Sequence, residues 1–88
     1  MQFDGAIVKE QGVVFAIVVV KPSVIGTHAN TKRARMSFEA IADFEGLPLI
    51  LAAQDGNGSF TYQGRPDIVK FLASVDPSRI LWTGYEIA

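Results

Sequence analysis

Asp55, Asn57 and Gly58 follow one another in the order and spacing of a calcium-binding loop, inside the stretch Gln54–Ser59, QDGNGS. An EF-hand loop takes oxygen ligands at its first, third, fifth and twelfth positions and needs glycine at its sixth. With Asp55 third, Asn57 is fifth and Gly58 sixth. The first position then falls on Ala53, which has no side-chain oxygen, and the twelfth on Gly64, where a bidentate glutamate belongs. The flanking runs read as strands rather than helices. Asp-Gly and Asn-Gly are strong hairpin signals, because tight turns need positive φ angles that Gly and Asn tolerate. The stretch therefore reads as a turn, and no metal site is expected. Asn57-Gly58-Ser59 also matches a glycosylation acceptor, a match that matters only on a secretory route.

The remaining residues with chemical potential form weaker patterns. His28 is the only histidine, and no sequence context pairs it with a nucleophile and an orienting acid. Lys32, Arg33 and Arg35 cluster after it at the start of an expected helix. Positive charge there opposes the helix dipole, an arrangement that suits an anion. The competing reading is a solvated face balanced by pairs such as Arg35 with Glu39. Arg65 precedes a second helix start, but Asp67 already complements that positive end. Lys32, Arg33, Arg35 and Arg65 are thus the candidate anion-binding residues. Trp82 and Tyr85 near Arg79 have the types that stack on bases; packing is the stronger reading, since aromatics mainly supply buried area. The carboxylates show no spacing that suggests a metal or an acid/base pair.

These residues sit on a chain of 88 residues with net charge −1, 49% hydrophobic and 19% charged. That is one small domain with a sufficient core. The charge offers no basic field for nucleic acid. Cysteine is absent, which removes disulfides, thiolate metal sites and dithiol chemistry and fits a reducing compartment. No signal-peptide pattern opens the chain. The apolar run Val13–Val20 is too short for a bilayer, which needs about 20 helical residues. The expected setting is cytoplasmic, with no membrane, no nucleic-acid partner and no cofactor.

Phe3–Lys9 and the β-branched run Val13–Val20 predict an antiparallel hairpin turning at Glu10–Gly12. Pro22 follows the second strand. From Asn30 to Phe44, Ala34, Phe38 and Ile41 fall at helical spacing, with Phe44 beside them. Thr27 or Asn30 is the expected cap and Gly46 the stop. Leu47–Gln54 reads as a second buried strand, and Ser59–Gln63 alternates. Pro66 and Asp67 open a helix with the stripe Ile68, Phe71, Leu72 and Val75. Ile80–Ile87 reads as a last strand at an edge, weakened by Gly84. The fold class is α/β: a single domain of order β-β-α-β-β-α-β, with a mixed four- to five-stranded sheet and two helices.

The stretch from Gly46 to Val75 resembles the second half of a thioredoxin-like domain. Gly46 and Pro48 precede a buried strand, Asn57-Gly58 makes a short turn, Gly64 ends the next strand, and Ile68–Leu72 lies on an amphipathic helix. Val13–Val20 and the helix after it would match that family's central strand and first helix. The resemblance implies a cis Pro48 beside a peptide-binding groove and both helices on one face of the sheet. It implies no redox activity here, because the dithiol is missing.

Both central strands are apolar on both faces. If the helices share a face, the other exceeds the apolar patch a monomer tolerates, and a symmetric dimer would cover it. The expected function is a non-catalytic interaction or assembly module, a homodimer with an unknown protein partner. The alternatives are a small-molecule or anion binder, and a degenerate thioredoxin-like peptide binder gripping its ligand at Pro48.

Overall fold

A computed structural model of the chain describes residues 2–10 and 12–87. β1 (Gln2–Glu10) and β2 (Val13–Val20) form the antiparallel hairpin, closing with Glu10 opposite Val13. Gly12 takes a positive φ of 77°, and Gln11, in the same turn, lies outside the described residues. β2 is buried from Phe15 to Val18. It leads through a 3-10 turn at Pro22–Val24 to α1 (His28–Glu39). Thr27 caps α1: its hydroxyl accepts from the Asn30 amide at 3.1 Å.

α1 ends at Glu39, short of the Phe44 that the spacing predicts. Ile41 turns extended, and a separate 3-10 turn covers Ala42–Phe44. This swing places Phe44, 2% exposed, against the ring of Tyr85 at 5.3 Å. Burying an aromatic ring outweighs continuing a helix, since helices in proteins draw most of their stability from packing.

β3 (Leu49–Gln54) runs parallel to β2, and β4 (Phe60–Gln63) returns antiparallel to β3. α2 (Pro66–Ala73) and a 3-10 turn at Pro77–Arg79 lead to β5 (Thr83–Glu86), which pairs antiparallel with β1. The sheet has five strands in the order β4-β3-β2-β1-β5. β5 begins at Thr83, not at Ile80 as the sequence suggests. Ile80 is drawn into the core, and the Trp82 amide folds back onto the Ile80 carbonyl at 3.0 Å. The Trp82 indole N–H donates to the Pro77 carbonyl at 3.2 Å. Residues 80–82 are thereby held off the sheet edge.

The two helices lie on opposite faces. Ile68 and Leu72 of α2 join Phe15, Ile17, Ile50 and Ala52 in one core cluster. Phe38 of α1, with Phe44, joins Ala16, Val18, Leu49 and Leu51 in the other. The shared face that the resemblance implies is therefore corrected. β2 and β3 are apolar on both sides, and each side receives its own helix, so no whole sheet face stands bare.

Candidate functional site

The cationic candidates occupy different surroundings. Lys32 and Arg33 lie exposed on α1. Arg35 turns inward and spends its guanidinium on the ends of β3 and β4: Nη1 donates to the Leu49 carbonyl at 2.6 Å, and Nη2 to the Gln63 carbonyl at 3.1 Å and the Gln63 side-chain oxygen. Arg65 clasps Asp67 with two bonds, 2.7 and 2.8 Å. That pairing raises the Arg65 pKa and holds the Asp67 carboxyl below its usual range. Arg35 and Arg65 thus serve different partners and are not aimed at one point. His28 is exposed in the first turn of α1.

Asp55 uses its carboxylate on the turn itself. Oδ1 accepts from the amides of Asn57 at 2.8 Å and Ser59 at 3.0 Å, and Gly58 takes a φ of 84°. Among the described residues no group of three His, Asp or Glu side chains is placed to hold a metal. Pro48 also differs from what the resemblance implies. No peptide bond among the described residues is cis, and the Pro48 carbonyl accepts from the Ala16 amide at 2.9 Å. The proline sits at the start of the parallel ladder, and its backbone acceptor is used there. Tyr85 stacks on Phe3 at 5.1 Å between centroids, and Trp82 tilts against Phe60 at 5.7 Å. Both aromatics are packed.

A further feature lies at the edge of β1, away from every residue named above as a candidate. β5 pairs with β1 only over Gln2–Gly5. From Ala6 to Glu10 the outer edge of β1 has no strand beside it among the described residues. A groove of about 530 Å³ runs there, between Ile7–Glu10 of β1, the end of α2, and Arg79–Leu81. Its borders carry exposed apolar side chains: Ile7 is 48% exposed and Leu81 88%. Val14, 37% exposed, follows on the α1 face beside the same strand. The α1-side cluster gathers Phe3, Val18 and Leu51 at the other end of that face and leaves Ile7 and Val14 outside it. The sequence carries no local signal for this groove: Phe3–Lys9 and Ile80–Ile87 read as strands of similar length with one glycine each, and the open edge appears only because β5 starts at Thr83.

No protein-family model, no curated protein and no solved structure matches the chain. No helix among the described residues is long and apolar enough to cross a membrane.

Proposed function

We propose that the protein is a non-catalytic interaction and assembly module that works as a homodimer in a cytoplasmic setting. The open half of β1 is the observation that supports this reading. A strand with unpaired backbone donors and acceptors, flanked by exposed apolar side chains, is a template for another strand. Such edges are usually blunted by shortness, proline, a bulge or charged side chains; here the charges, Lys9 and Glu10, stand only at the far end of the open stretch. Ala6–Glu10 contains neither proline nor glycine and continues a nine-residue strand. The absence of cysteine suits a reducing compartment.

Light scattering across a wide concentration range tests the reading. The expected result is a mass that approaches two chains as concentration rises. A mass of one chain throughout would overturn it.

A further inference from the structure

We propose that two copies of this chain join antiparallel through Ala6–Glu10 of β1, about a two-fold axis beside Val8, making one continuous sheet of the two. This rests on the assembly reading above and names its surface and register.

The competing edges are poorer templates. β4 and β5 are four residues each; β4 runs directly into Gly64, Arg65 and Pro66, and β5 contains Gly84. The open part of β1 has no such interruption, and apolar side chains border it on both faces.

The register follows from symmetry. Residues directly opposite in an antiparallel pair point to the same face. A two-fold axis normal to the sheet keeps each residue on its own face, so only residues of equal parity can be opposed. An axis at Ile7 sets Gly5 against Lys9, but Gly5 already pairs with Thr83. An axis at Lys9 sets that ammonium directly against its copy, which is unfavourable. An axis at Val8 uses the whole open edge. It opposes Val8 to Val8, Ile7 to Lys9, and Ala6 to Glu10 of the second copy.

Charge and apolar surface agree with that register. On the α1 face, Lys9 lays its aliphatic stem along Ile7 of the second copy. Val14, which pairs with Lys9 inside each chain, extends the strip, so Ile7 and Val14 of both copies cover one another's exposed surface. On the α2 face, Glu10 of the second copy arrives opposite Ala6, beside the groove wall that carries Arg79. Symmetry makes that approach of opposite charges twice.

The chain has no cysteine, so a Val8→Cys variant carries a single thiol. Directly opposed residues have Cα atoms about 4.5–5.5 Å apart, inside the disulfide range of about 4.4–6.8 Å. Mild oxidation is expected to give a covalent dimer with Val8→Cys, and none with Thr61→Cys on β4 or Thr83→Cys on β5. A second pair of variants tests register at a surface position that folding tolerates. Ile7→Lys opposes like charges twice and is expected to weaken dimerisation about tenfold. Ile7→Glu faces Lys9 and is expected to keep it. A wild-type dimer that cross-links through Thr61→Cys or Thr83→Cys but not Val8→Cys overturns this pairing and leaves the assembly reading standing. Equal weakening by Ile7→Lys and Ile7→Glu also overturns the register. A wild-type chain that never dimerises overturns both.

Discussion

Arg35 on α1 donates to the main-chain carbonyl of Leu49, the first residue of β3, at 2.6 Å. Its other terminal nitrogen reaches Gln63, the last residue of β4, at 3.1 Å. One guanidinium therefore pins a helix to the end of a strand pair. The fork matters because its donors sit at fixed angles and meet two carbonyls from different strands. Glu39, one turn along at 3.8 Å, adds a long, half-exposed ion pair of small worth.

Replacing Arg35 by Met keeps much of the stem and removes the donors. The expected loss is about 2 kcal/mol, since bonds to a charged donor are worth more than neutral ones and two carbonyls lose a partner. Arg35→Lys recovers only part, because an ammonium cannot span both acceptors. Urea unfolding should show a lower midpoint with an unchanged slope. Equal stability of Arg35→Met and wild type would show that water replaces the fork at no cost.

Gly5 of β1 and Gly84 of β5 lie on paired strands, opposite Thr83 and Asp4, but differ in what surrounds them. A Cβ at Gly5 would lie 2.9 Å from the Ile17 carbonyl oxygen and 3.1 Å from the Tyr85 ring. The oxygen belongs to the central β2 backbone and cannot retreat. Gly5→Ala is expected to cost about 1–3 kcal/mol, as overpacking does. A Cβ at Gly84 meets nothing within 4 Å, so Gly84→Ala should stay within about 0.5 kcal/mol. Thermal melts of the two variants side by side decide the matter, and similar shifts would contradict it.

The order of strands and helices was legible because each element carries its own period. The β-branched run of β2 and the stripe Ile68, Phe71, Leu72 act locally, and so do Thr27 and Pro66 at the helix starts. What escaped depends on tertiary competition. Phe44 fits a helical stripe after Phe38, yet it is buried better from a separate turn. Ile80–Trp82 reads as strand, yet Ile80 is claimed by the α2-side core, which shortens β5 and opens β1. Arg35 lies off the apolar stripe of α1, and nothing in its spacing tells that it bends toward Leu49 and Gln63. For the same reason Ile7 and Leu81 could not be read as a site: their exposure is set by where neighbouring elements stop.

Asp76 organises the turn after α2. Its carboxylate accepts from the Ser78 amide at 3.0 Å and the Ser78 hydroxyl at 2.9 Å. These bonds, the backbone one foremost, hold its carboxyl below the usual aspartate range. A carboxyl with a lowered folded pKa contributes stability that is present above its unfolded value near 3.8 and is lost as pH falls. Asp76→Asn should therefore flatten the decline in stability below about pH 4. Denaturant titrations at a series of acid pH values measure it; an unchanged slope would assign the acid sensitivity elsewhere.

Tyr62 presents the reverse case. Its hydroxyl oxygen is buried and finds no partner, while its ring stacks near Phe60 at 6.0 Å. Burial pushes its pKa up from the ordinary value of 10.0. A polar atom desolvated without a bond costs free energy, so removing it is neutral or favourable. Tyr62→Phe is expected to leave stability unchanged or raise it by up to about 1 kcal/mol at neutral pH. The raised value has a further consequence in base. The unfolded chain ionises this phenol before the folded one does, so the associated stability is complete below pH 10.0 and declines as pH rises through the folded value. Tyr62→Phe should lose that part of the alkaline decline. Urea midpoints for both proteins at neutral pH and at about pH 11 give the comparison. A variant that is less stable at neutral pH would show that the hydroxyl is bonded in solution.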